Sequence, residues 1–121
     1  MYSATVLDHF HTPRNVGEIP GASIVVEASN PVCGDVMKLW AVVGEGRIQA
    51  VKFKAAGCVP SVACGSWLTE AILSKSPQEL SALSADDVIS ALGGLPPASR
   101  HAAVLAVEAL KRLLDLLRTT A

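Results

Sequence analysis

Pro31-Val32-Cys33-Gly34-Asp35 runs straight into Val36-Met37-Lys38-Leu39-Trp40-Ala41-Val42-Val43, and the alternation in the second segment decides what the chain builds. Val36, Lys38, Trp40 and Val42 fall on one side of an extended chain and Met37, Leu39, Ala41 and Val43 on the other, the period of a β-strand. Cys33 and Asp35 then stand where a loop enters a sheet. Because i and i+2 side chains of an extended segment share a face, both can aim at one point. A soft thiolate beside a hard carboxylate is a metal-ligating pair. The same five residues also make a turn, since Pro, Gly and Asp are turn formers and a free Cys commonly fills core space.

Working outward, Ser23-Ile24-Val25-Val26-Glu27-Ala28 is a β-branched run upstream, and Gly44-Glu45-Gly46 links the central strand to Arg47-Ile48-Gln49-Ala50-Val51-Lys52-Phe53-Lys54 downstream. Short links predict three antiparallel strands in a meander. Val51 and Phe53 alternate with Lys52 and Lys54, so one sheet face meets water and helices must cover the other. Upstream, Ser3 caps a short helix whose apolar stripe is Val6, Leu7 and Phe10, and Pro13, Asn15 and Gly17 end it in a defined loop over Thr12 to Gly17. His9 and His11 read as exposed residues near that helix's C-terminus, where a positive charge suits the dipole.

The second informative stretch is Ala55 to Leu73. Glycine ends the strand, Pro60 starts a helix, and Cys58 is left just ahead of the helix N-terminus, where the dipole favours a thiolate. Cys64, inside that helix between Ala63 and Gly65, reads as core filling. Ser76-Pro77-Gln78-Glu79 and Ser84-Ala85-Asp86-Asp87 open two short connecting helices that end near Gly93-Gly94. Leu95-Pro96-Pro97 leads into a long final helix with no breaker from Arg100 to Leu117. His101, Glu108, Arg112 and Asp115 share its polar face, while Leu105, Ala106, Ala109, Leu110, Leu113, Leu116 and Leu117 supply the buried ones. His101 is thus either a solvated helix-face residue or a ligand presented from the first turn.

A chain of 121 residues is expected to form a single domain over residues 1–121 with a real core. Half the residues are apolar and the net charge is −1, which argues against disorder and against a nucleic-acid partner. No apolar run approaches the roughly 18 residues of a membrane span, and the N-terminus lacks a signal peptide's order, so a cytoplasmic protein away from membranes is expected. Three cysteines in a reducing compartment leave metal binding, reactivity or packing as their uses.

Tyr2-Ser3, Asp8-His9, Pro13-Arg14-Asn15-Val16-Gly17, Cys33-Gly34-Asp35-Val36-Met37-Lys38-Leu39, Phe53-Lys54, Gly57-Cys58, Thr69-Glu70, Leu95-Pro96-Pro97 and His101 occur in the order that resembles the IscU/NifU-type iron-sulfur cluster assembly scaffolds. The resemblance implies an α+β fold, a three-stranded antiparallel meander with helices packed on one face and a long C-terminal helix, as in SufE/NifU-like domains. It implies a scaffold, not an enzyme. A labile [2Fe-2S] cluster is built there from iron and from sulfur supplied by a cysteine desulfurase, then passed to apo iron-sulfur proteins. The ligand set it implies is Cys33, Asp35, Cys58 and His101, with an iron donor as a further partner and Zn²⁺ as an occupant of the isolated protein.

The sequence departs from the family at two places. Ala102 follows His101 where the family has a third cysteine implicated in receiving sulfur, which leaves Cys64, or a second copy in a homodimer, to replace it. Ala98-Ser99 follow Leu95-Pro96-Pro97 where many bacterial members continue with Val-Lys in a docking motif for an Hsp70-type chaperone, so that docking is expected to be weakened. Two alternatives follow: a zinc-binding sulfur-transfer accessory of a desulfurase, and a divergent paralogue that keeps the fold without assembling clusters. The short stretch between Cys58 and the last helix is similar to the scaffold branch.

Overall fold

A computed structural model describes residues 2–31 and 34–120, the last three of them by backbone only. The strands are β1 (Ile24–Ser29), β2 (Val36–Gly44) and β3 (Arg47–Ala56), antiparallel in the order β1-β2-β3. The register puts Val26 opposite Leu39 and Leu39 opposite Phe53, so one face carries an unbroken apolar row. That face is the core: Val26, Ala28, Met37, Leu39, Ala41, Val51 and Phe53 are all buried. Trp40 lies on the opposite face, between Val25 and Lys52 in register, yet is only 7% exposed, with Lys38 Nζ 5.0 Å above its ring. Cation–π contact and aliphatic stems shield an aromatic ring on a face that its charged neighbours keep wet.

Five α-helices accompany the sheet among the described residues: α1 (Ala4–His11), α2 (Val59–Ile72), α3 (Pro77–Leu80), α4 (Ala85–Ala91) and α5 (Arg100–Thr120), the last preceded by a 3₁₀ turn at Pro97–Ser99. α2 packs on β3, α5 covers β1 and β2, α1 lies on α2, and α4 lies on α5. Gly65 permits the first contact, since a Cβ there would sit 2.5 Å from the Phe53 ring. The caps are those the sequence predicts. Ser3 accepts from the Val6 N–H, and Ser76 with Glu79 and Ser84 with Asp87 form capping boxes. The loop after α1 runs along the outer edge of β3, where Asn15 O accepts the Phe53 N–H and the Gly17 N–H donates to Phe53 O, each at 2.9 Å. An edge strand is thereby blocked against pairing with another chain.

Three expectations need correcting. Leu116, assigned to the buried face of the last helix, is 42% exposed, because it shares a helix face with the exposed Arg112 and Asp115, while Leu113, Leu114 and Leu117 turn inward. His9, expected at the surface, is 6% exposed, with Nδ1 2.7 Å from Ser66 Oγ, the same oxygen that accepts the Arg14 N–H. A helix of eight residues docks on α2 by Val6 and His9, leaving Leu7 39% exposed. Which stripe faces inward is set by the α2 surface, not by the short helix's own pattern.

Burial, then the nearby Arg14 charge, pushes His9 below its ordinary value of 6.5, against opposing pulls from Glu70 and Asp8. Below pH 6.5 the unfolded chain therefore binds a proton that the folded chain resists, so stability is full above that value and is lost as pH falls. Thermal melts between pH 7.5 and 5.5 are expected to show a falling midpoint that His9→Gln flattens. An unchanged slope in the variant would assign the loss elsewhere.

Candidate metal centre

Asp35 sits at the end of the loop joining β1 to β2. The Gly34 N–H donates to Asn30 O at 2.7 Å and the Asn30 N–H to Asp35 O at 2.8 Å, with Gly34 at φ 76°, so Asn30 ties Gly34 and Asp35 in place just before the strand begins. Val36 pairs with Ala56, which places Asp35 beside the exit of β3. Gly57 follows, and a Cβ there would lie 2.5 Å from Asp35 Cγ. The carboxylate thus fills the space a side chain would take.

Cys58 is the N-cap residue of α2, but its sulfur makes no capping hydrogen bond. Sγ instead donates to Asp35 Oδ2 at 3.3 Å. His101, in the first turn of α5, donates from Nδ1 to the Ala98 carbonyl at 3.0 Å. A carbonyl can only accept, so Nδ1 carries the hydrogen and Nε2 is the ring's ligating nitrogen. Nε2 lies 3.4 Å from Asp35 Oδ2 and 3.7 Å from Cys58 Sγ.

These three atoms form a triangle with edges of 3.3, 3.4 and 3.7 Å. Bonds of about 2.0–2.3 Å from oxygen, nitrogen and sulfur to a tetrahedral ion give edges of about 3.3–3.6 Å. The donor set thus fits one face of a tetrahedral site, and one cation serves three lone pairs at once. Asp35 is 5% exposed, and its carboxyl is held below the usual carboxylate range by the Ser61 hydroxyl first, then by Cys58 and His101, against the cost of burial. It is an anion ready to ligate.

Of the four residues expected at the site, Asp35, Cys58 and His101 come together from three separate segments. Cys33 lies outside the described residues. Cys64 belongs to the core cluster and is fully buried; burial, with a smaller contribution from Cys58, pushes its thiol up to about 12. Alkylation of the folded protein should therefore label Cys58 and spare Cys64, with mass spectrometry after digestion as the check. Equal labelling of both would contradict the packing. Ala102 is likewise fully buried, on the inner side of α5.

Sequence reading missed two residues. Ser61 donates to Asp35 Oδ2 at 2.7 Å from complete burial, and Gly57 makes room for that carboxylate. A hydroxyl in the first turn of a helix that starts at a candidate ligand was the available signal for Ser61. For Gly57 the only local signal was that of a strand end.

Residues 1–117 match the family described as NifU-like N terminal domain. An iron-sulfur cluster assembly scaffold protein IscU of Archaeoglobus fulgidus is 44% identical over 112 residues, 93% of this chain and 73% of that protein. The IscU scaffold protein of Escherichia coli K12 is 40% identical over 117 residues, covering 91% of this chain and 88% of its own. Among solved structures, a protein described as a candidate iron-sulfur cluster assembly scaffold for the SUF system, from Fervidobacterium islandicum, superposes with a TM-score of 0.77 at 25% identity, over 93% of this chain and 96% of that one.

Proposed function

Because this chain belongs to the family of NifU-like N-terminal domains, we propose that it is a scaffold on which a [2Fe-2S] cluster is assembled and from which it is released, with Cys33, Asp35, Cys58 and His101 as the protein ligands. The observation that carries this reading is the triangle of Asp35 Oδ2, Cys58 Sγ and His101 Nε2, contributed by three separate elements around one point. The cluster is cargo. A carboxylate is a harder, weaker partner for iron than a thiolate, which favours release, and the placement of the site at the mouths of β2, α2 and α5 leaves it open to partners. Cys58 and His101 are only half-buried.

The chain itself performs no bond-making step in this reading: a cysteine desulfurase supplies sulfur, a separate donor supplies iron, and apo iron-sulfur proteins take the product. Leu95-Pro96-Pro97 ends immediately before Ala98, whose carbonyl holds the His101 ring, so an Hsp70-type chaperone docking there would act next to a ligand. No helix among the described residues is long and apolar enough to cross a membrane.

Anaerobic reconstitution with iron, sulfide and reductant tests the proposal. A visible chromophore with equal iron and sulfide per chain is expected, and a protein that stays colourless overturns it. One observation favours a second reading: the triangle suits a single tetrahedral ion, as a zinc-holding sulfur-transfer accessory would need. Zinc as the metal of the purified protein, together with strong desulfurase stimulation, would select that reading.

A further inference from the structure

We propose that Ser61 is a positioning residue of this metal centre: its hydroxyl holds the Asp35 carboxylate with Oδ2 turned toward Cys58 and His101, so that the carboxylate enters the ligand set already aimed. The inference rests on reading Asp35, Cys58 and His101 as ligands. Ser61 is fully buried, and its Oγ stands 2.7 Å from Asp35 Oδ2 and 3.4 Å from Cys58 Sγ. It therefore touches two of the three ligands without belonging to the group itself.

A carboxylate rotates in a broad, two-fold torsional well, so burial alone does not choose which oxygen faces a metal. Gly57 offers no side chain to wedge it, since its missing Cβ is what lets the carboxylate lie there. The one described side-chain donor outside the ligand group that reaches Oδ2 is Ser61, from the first turn of α2. The hydroxyl has a single hydrogen, which it gives to Oδ2, and the Cys58 thiol gives its own to the same oxygen, so the 3.4 Å approach of Ser61 Oγ to Cys58 Sγ is a contact only. When Cys58 loses its proton to bind metal, both neighbours of Ser61 become acceptors. The shorter contact keeps the hydroxyl on the carboxylate, so Asp35 stays aimed through metal binding.

Groups that orient a ligand in this way typically change metal affinity by about 10–100-fold when removed. Cobalt(II) is the probe, because thiolate charge-transfer and d–d bands report its ligands directly. Anaerobic titration of the apo-protein is expected to show Ser61→Ala binding cobalt about 10–100-fold more weakly, with altered d–d bands and a cooperative melt that shows the fold intact. Ser61→Thr, which keeps the hydroxyl, should restore both affinity and spectrum. In an Asp35→Ala background, Ser61→Ala should cost nothing further. Wild-type binding with an unaffected Ser61→Ala variant, or an effect that adds fully to Asp35→Ala, overturns the role of Ser61 while leaving the ligands in place. A wild-type protein that binds no cobalt through a thiolate overturns the ligand reading and this inference together.

Discussion

Cys58→Ala should leave the reconstituted protein without its visible chromophore while shifting unfolding free energy by less than about 1 kcal/mol. The two halves of that expectation come from one geometric fact. An N-cap side chain that accepts from the helix is worth about 1 kcal/mol against alanine, but Cys58 makes no such bond and its sulfur is spent on Asp35. Removing it costs the helix little. It removes the soft ligand at one corner of the triangle, leaving only Asp35 and His101 among the described ligands to hold iron. Visible absorption after reconstitution and urea melts on the same preparation check both halves. A chromophore of wild-type intensity would remove Cys58 from the ligand set.

Phe53→Ala is expected to cost about 3–5 kcal/mol, the range for emptying a buried aromatic site. Phe53 is 1% exposed, faces Leu39 across the ladder, and packs against the bare backbone of Gly65, so sheet and α2 meet at this ring. Its backbone also holds the Asn15 and Gly17 ends of the loop after α1. The loop bonds survive the substitution, so the loss should be that of cavity formation, read as a lower denaturant midpoint at an unchanged slope. Since α2 begins at Cys58, loosening this contact should also weaken metal binding. A cost under about 1 kcal/mol would mean that the ring is not the contact between the layers.

Much of this molecule was legible in local pattern. Alternation through Val36 to Val43 separates Met37, Leu39 and Ala41 from Val36, Lys38 and Trp40, and the structure turns the first set into the core. The serine caps at positions 3, 76 and 84 predict where helices start, and each serine accepts from the turn it caps. The likeness over Cys33-Gly34-Asp35 and the strand after it pointed to a scaffold, and the match over residues 1–117 agrees. Failures came where one element's face is chosen by another. Leu7 and Leu116 are exposed and His9 is buried because helix periodicity names a stripe without naming its partner.

What the sequence by itself determined is therefore everything carried by short-range periodicity and capping: three strands, their meander, the helix starts, and the residue types suited to ligation. Only the tertiary structure decided that Asp35, Cys58 and His101 meet and that Ser61 stands behind the carboxylate. The physical reason is that strand period and helix caps act over a few residues. The ligand triangle closes contacts between residues 35, 58 and 101, whose approach depends on how α2 and α5 seat on the sheet.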